Sequence, residues 1–254
     1  SFAVAQKEPT RSDFTDRYKF AADDTYPSSE KLYDWELGYQ YTAPRLSLGV
    51  NLYYMKYKDQ LVPTGMVNDD SNALNTNVPD SYRRGVELSA SWRATGWFTV
   101  GANATFSQNR IENYVDALKD SPTYGKELSD MTIAYSPDVI ANAFLNFHHR
   151  GFEAVFHTQH VGKQYFTNNE NDALSLDAYC VTNLNLAYTF CTRSARSVRL
   201  GLLINNLFNA EYESNGYGYS YMDTWSGPAP VRIDEAYYFP QAPLNVLANV
   251  TVKF

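Results

Sequence analysis

The stretch Leu244-Asn245-Val246-Leu247-Ala248-Asn249-Val250-Thr251-Val252-Lys253-Phe254 alternates in polarity almost without a break. In an extended chain successive side chains point to opposite faces. Leu244, Val246, Ala248, Val250, Val252 and Phe254 therefore share one face, and Asn245, Asn249, Thr251 and Lys253 share the other. A strand of this kind needs something to cover its apolar side. A second sheet can do so in a soluble sandwich, and lipid can do so in a membrane. One strand alone leaves both open.

The same two-residue period recurs upstream and gives about ten strands in all. They are expected over residues 1–8, 33–41, 46–53, 86–92, 98–107, 139–147, 152–161, 179–190, 198–205 and 244–254. In one of them Phe98, Val100, Ala102, Ala104 and Phe106 alternate with Thr99, Gly101, Asn103, Thr105 and Ser107; in another Val86, Leu88, Ala90 and Trp92 alternate with Glu87, Ser89 and Ser91. The second faces are mostly Asn, Ser, Thr, Gly, Gln and Glu, which are wrong for a dry sandwich core but suit a hydrated lumen. Connectors near Pro44, Thr95, Arg150 and Arg193 are short, whereas those over 9–30, 62–81, 112–136, 166–175 and 209–238 are long and crowded with Asn, Asp, Ser, Tyr and Pro. Short turns at one rim and long loops at the other indicate an all-β fold, a transmembrane antiparallel β-barrel with its long loops outside the cell.

Composition agrees with this reading. The chain holds 21 Tyr, 14 Phe and 4 Trp yet has a mean hydropathy of −0.44. No run approaches the roughly 20 apolar residues of a membrane helix, but a barrel strand needs only about 9 to 11 residues, half of them polar. Tyr33, Trp35, Tyr39, Tyr41, Tyr53, Tyr54, Tyr57, Trp92, Trp97, Tyr188 and Phe190 gather near strand ends, as expected of two interfacial girdles. A net charge of −7 offers no basic stripe for nucleic acid. Cys180 and Cys191 lie eleven positions apart on a strand and its turn, about 36 Å if extended, beyond disulfide reach. Cys180 falls among outward positions.

Several segments resemble the C-terminal barrel of TonB-dependent outer-membrane receptors, especially Bacteroidetes-like ones. These are SFAVAQKEPTRSDF at 1–14, YPSSEKLYDWELGY at 26–39, YYMKYKDQL at 53–61, RGVEL at 84–88, VGKQY at 161–165 with Ser175-Leu176-Asp177-Ala178-Tyr179 after it, and NNLFNAEY at 205–212. They stand in the family's order across nearly the whole chain. The resemblance implies that residues 1–254 are about the last ten strands of a barrel of about twenty-two, a portion of a longer polypeptide whose plug lies elsewhere. It also implies outer-membrane lipid, TonB acting through the plug, a small-molecule nutrient and a surface lipoprotein lid as partners. A strand closing on aromatic Phe254 resembles the barrel-assembly signal.

No catalytic constellation is present: there is no Gly-x-Ser-x-Gly elbow, no metalloprotease helix and no phosphate loop. No cofactor is expected, and no metal site. His148 and His149 sit at a turn, and His157 and His160 are three apart, on opposite strand faces. Asp23 with Asp24 and Asp69 with Asp70 read as solvated loop carboxylates. The segment 212–238 is the expected ligand contact, through Tyr217, Tyr219, Tyr221, Trp225 and Arg232: rigid rings can stack on a catecholate, a porphyrin or a sugar, and Arg can pair with an anionic chelate, the alternative being that the rings fold the loop on itself or border the membrane. Arg11, Arg17, Tyr114 and Tyr124 are further candidates.

The resemblance implies an active transporter in the outer membrane, with an iron-siderophore complex as cargo. Haem, cobalamin and oligosaccharide are alternative cargoes, and a passive porin or a soluble adhesin are alternative proteins. Haem receptors commonly carry aromatic-Arg-Ala-Pro and Asn-Pro-Asn-Leu elements where this chain has Glu8-Pro9-Thr10-Arg11 and Pro27-Ser28-Ser29-Glu30.

Overall fold

The computed structural model describes residues 1–15, 26–67, 72–118 and 123–254. The strands are β1 (Phe2–Lys7), β2 (Glu30–Thr42), β3 (Leu46–Val67), β4 (Ala73–Arg93), β5 (Phe98–Val115), β6 (Glu127–Thr132), β7 (Val139–His149), β8 (Phe152–Val161), β9 (Gln164–Tyr165), β10 (Ser175–Leu176), β11 (Tyr179–Phe190), β12 (Ser197–Asn205), β13 (Glu213–Asp223), β14 (Val231–Pro240) and β15 (Asn245–Lys253). Ten of them form one antiparallel path, β1-β2-β3-β4-β5-β7-β8-β11-β12-β15, with β6 added beside β5. These ten are the expected ten. The sheet is open, with β1 and β15 at its edges, and every neighbouring pair along it is antiparallel.

Register carries the two faces across every strand. Val250 lies opposite Leu200, Leu202 opposite Leu186 and Leu184 opposite Phe156 on the apolar side; Asn249 lies opposite Gly201, Asn183 opposite His157 and Asn51 opposite Glu87 on the polar side. Leu203, Leu247, Phe144 and Ile140 are apolar residues that fall on the polar face. The sheet is one layer thick, so its apolar face is uncovered here: Leu37 is 71% and Val250 65% exposed.

An aromatic row marks each end of that face. At the long-connector end Phe2, Trp35, Tyr54 and Tyr82 follow one another at centroid spacings of 5.2, 5.8 and 6.3 Å. At the short-turn end Phe98 stacks on Phe147 at 4.5 Å, with Trp97 beside both. From Leu46, opposite Trp92, to Tyr54, opposite Trp35, eight residues span about 26 Å of strand. At a tilt of about 40° this is roughly 20 Å of height, close to the apolar band of such barrels.

The short turns close as two-residue or slightly longer reversals. At Arg150-Gly151 both residues have positive φ, 49° and 83°, the geometry that matches strand twist in a hairpin. A Cβ on Gly151 would meet the Thr189 carbonyl oxygen at 2.3 Å, so glycine is required there twice over.

The long connectors differ from expectation. The hairpin β3–β4 continues through 62–67 and 73–81, β5 runs to Val115 and pairs with β6, and 209–238 holds the separate hairpin β13–β14. These are strands beyond the apolar band, where no lipid imposes alternating polarity, so the period that reveals the others is weak. Two buried clusters lie among these extensions and the connectors beside them. Val62, Val78, Ile111, Tyr114 and Ile133 form one cluster, and Phe166, Leu174 and Leu176 form another. The cap at this rim is thus packed as a soluble domain is, while the barrel wall below relies on its backbone ladder.

Candidate functional site

The cap is clasped by side chains from distant connectors. Asn168, fully buried, accepts from the Ala134 N–H at 2.8 Å and donates to the Pro63 carbonyl at 2.6 Å. Tyr114 donates to the Thr64 carbonyl at 3.2 Å, and its burial pushes its phenol well above the usual range. Glu170 accepts from Arg110 at 2.6 Å and from the Thr132 N–H at 3.1 Å. Three connectors are held as one body.

The hairpin β13–β14 rises from this body. Asn206, at φ 51°, bonds both its roots: it accepts from the Ala210 N–H at 2.8 Å and donates to the carbonyls of Ala210 at 2.8 Å and Ala242 at 3.3 Å. Asn209 accepts from the Leu244 N–H at 2.9 Å. The NNLFNAEY segment is therefore a tether for the hairpin.

Alternation then splits the hairpin. Gly216, Gly218, Ser220, Arg232, Asp234, Ala236 and Tyr238 line the back. A Cβ on Gly216 would stand 2.7 Å from the Phe166 ring, and one on Gly218 2.8 Å from Leu174. The glycines thus let the strand lie directly on the second buried cluster. Asn171 adds a bond to Asp234 at 2.8 Å. Arg232 is also here, donating to Asp234 at 2.9 Å and to Ser220 at 3.1 Å. Burial works against the Asp234 charge, but the bonds from Ser220, Arg232 and Asn171 outweigh it and hold the carboxyl below the usual range.

Tyr217, Tyr219 and Tyr221 line the front with Glu235, Tyr237 and Phe239 from β14. Tyr217 and Tyr237 stack at 5.0 Å and 13°, and Tyr219 lies 6.3 Å from both Tyr237 and Tyr221. The rings partly cover one another's faces. Three hydroxyls meet on one carboxylate: Tyr219 donates to Glu235 at 2.7 Å, Tyr237 at 3.0 Å and Tyr221 at 3.1 Å. These bonds, that of Tyr219 foremost, hold Glu235 below the usual carboxylate range, and the same bond raises the Tyr219 phenol. At the tip Asp223 accepts from the N–H groups of Trp225 and Ser226 at 2.9 and 3.2 Å, fixing the turn that presents Trp225, 93% exposed. A cavity of about 380 Å³ opens between Tyr219, Tyr221 and Met222 on one side and Met66, Val67 and Leu118 on the other.

Of the residues expected from sequence, Tyr217, Tyr219 and Tyr221 come together, Trp225 stands at the tip, and Arg232 turns to the opposite face. Arg11 is exposed on the short helix Arg11–Thr15, Tyr124 lies in a turn, and Arg17 lies outside the described residues, as do Asp23, Asp24, Asp69 and Asp70. Phe254 follows β15 and is 93% exposed. His157 faces the polar side and His160 the apolar side, opposite Cys180; both cysteines are free and exposed. Among the described residues no three His, Cys, Asp or Glu side chains gather as a metal site. Sequence reasoning missed Glu235, whose only signal was its place in a second alternating run, Ile233, Glu235, Tyr237, Phe239.

On the polar face of the sheet a groove of about 740 Å³ is lined by Glu36, Gly38, Asn51, Glu87, Ser89 and Asn103, among others. Glu, Asn, Ser and Gly give this wall a polar surface.

No curated protein matches the chain in sequence. Solved structures match in fold: the ferric yersiniabactin uptake receptor FyuA from Yersinia pestis (19% identity, TM-score 0.65, 100% of this chain and 34% of that one), the ferric-catecholate import receptor Fiu from E. coli K12 (18%, 0.64, 98% and 32%) and the copper transporter OprC (18%, 0.70, 100% and 36%). The chain spans about a third of the length of these proteins. The family model described as TonB dependent receptor-like, beta-barrel, matches residues 6–207, from β1 to the end of β12, and the chain belongs to that family.

Proposed function

We propose that the chain is the C-terminal portion of an outer-membrane receptor barrel that captures a scarce nutrient at its long-loop rim and admits it with TonB-coupled energy, the cargo being a ferric chelate. The observation that carries this reading is the front of β13–β14: an aromatic, oxygen-rich surface held rigidly on a packed cap above a polar-faced sheet. Trp225 and the outer faces of Tyr221 and Phe239 are free to stack on a planar chelate. Two of the structures similar in fold are described as receptors for ferric chelates, which supports the choice of cargo.

The polar groove with Glu36 and Glu87 faces the lumen in this reading and is the wall against which a plug from the rest of the polypeptide rests. TonB acts through that plug, and a lipoprotein lid would meet the cap. The test is uptake of radioactive iron, supplied as catecholate, hydroxamate or citrate chelates, by cells with and without the complete receptor. Receptor-dependent uptake of one chelate that stops when the proton-motive force is collapsed is expected. Uptake indifferent to the proton-motive force would make the protein a passive channel.

A further inference from the structure

We propose that the front of the β13–β14 hairpin binds a small, hard trivalent cation, ferric iron, directly through the oxygens of Glu235, Tyr219, Tyr221 and Tyr237. The inference rests on the receptor reading for iron as the ion met in the cell, and on geometry for the site itself. The three hydroxyls lie 2.7 to 3.1 Å from one carboxylate, so four oxygen-bearing side chains already converge before any ion arrives. They come from two adjacent strands in fixed register, and the back of the hairpin is seated on Phe166 and Leu174.

Charge points the same way. Glu235 has no cationic partner among the described residues, because the hairpin's guanidinium, that of Arg232, is committed to Asp234 and Ser220 on the opposite face. Only phenol dipoles balance the carboxylate. Tyr217 and Tyr219 each stack on Tyr237, so on these rings the hydroxyl oxygens, more than the faces, are left to a ligand.

The donor set selects the ion. Sulfur and imidazole, which favour copper and zinc, are lacking among these four residues, and calcium or magnesium takes carboxylates, carbonyls and water. Weak Lewis acids leave a phenol protonated, whereas ferric iron displaces its proton. Binding then proceeds without electron transfer. One ferric ion joins the Glu235 carboxylate, each coordinated tyrosine gives up one proton to the buffer, and the remaining coordination positions take water or oxygens of an incoming chelator. A chelate could thus hand its iron to the rim or dock there by exchanging part of its ligand shell.

The experiment adds ferric nitrilotriacetate to the complete, purified receptor in detergent and records the visible absorption. A phenolate-to-iron charge-transfer band is expected, displaced by gallium and left unaltered by calcium or zinc. The variant Y219F/Y221F/Y237F keeps the rings and their stacking and should lose the band, and E235Q should weaken binding by about tenfold or more, with heat-modifiability on a gel unchanged in both. Absence of the band, or a band of equal strength in the triple variant, overturns the site. Uptake and band report separately: energised uptake without the band removes this site alone, whereas the band without such uptake supports the site and removes the receptor reading.

Discussion

Replacing Val250 by Arg tests the two-faced wall quantitatively. Val250 is one residue from Asn249, the middle of the nine-residue strand β15, and it points from the apolar face with 65% of its surface uncovered by protein. Across the ladder it meets Leu200, which offers a guanidinium no charge to pair with. A cation on the lipid face of a barrel near the midplane costs about 2 to 4 kcal/mol, or a factor of about 30 to 1000 in the folding equilibrium. Arg at Asn249 starts from the polar face, above Gly201, whose missing side chain leaves room over the backbone. Its cost should stay within about 0.5 kcal/mol. The assay is urea unfolding of the complete receptor in lipid vesicles, with V250R and N249R compared against the parent at one lipid composition. A large drop in the midpoint for V250R and almost none for N249R is expected. Equal shifts, or a larger one for N249R, would refute the assignment of faces.

Other consequences are as direct. Deleting Phe254 tests the expected assembly signal: it should lower the amount of heat-modifiable, assembled receptor while leaving the ligand affinity of the assembled fraction unchanged, and normal assembly would make this ring incidental. The combined variant Y217A/Y219A/Y221A/W225A should weaken cargo binding by more than about tenfold, measured by titration, without moving the thermal midpoint of the barrel. Asn168→Ala strips a buried N–H and a carbonyl of their partner and should cost the cap about 1 to 3 kcal/mol, seen as faster hydrogen exchange around Ala134 with the membrane strands unaffected. Since Glu235 is held below the usual range in the folded hairpin, its contribution to stability is present above the unfolded carboxyl value of about 4.3 and is lost as the pH falls through its lower folded value. Acid titration followed by tyrosine near-ultraviolet dichroism should show this loss in the parent and not in E235Q.

The strands of the wall were legible because lipid on one side and water on the other force a strict two-residue period, and the ten so expected are the ten of the main antiparallel path. What lies above the band was legible only in part. In β13 the period is present as Gly216, Tyr217, Gly218, Tyr219, Ser220, Tyr221, but glycine reads as a loop former when its purpose, close seating on Phe166 and Leu174, is out of sight. The extensions of β3 and β4 contain Pro63 and Pro79, which local rules assign to irregular chain. Tyr114 shows the same limit: as a loop tyrosine it reads as a ligand contact, yet in the structure it is a core residue. Arg232 was separated from the tyrosines by parity, which is fixed by the hairpin's register, and Glu235 joined them for the same reason.

The central claim, capture of a ferric chelate at this rim, is tested most directly by identifying what the complete receptor holds after purification from cells grown short of iron, using native mass spectrometry and metal analysis. The account requires an iron-bearing small molecule in near-stoichiometric amount, lost from the variant Y217A/Y219A/Y221A/W225A. A receptor that carries instead an iron-free glycan or cobalamin, or whose iron is retained equally by that variant, would contradict it.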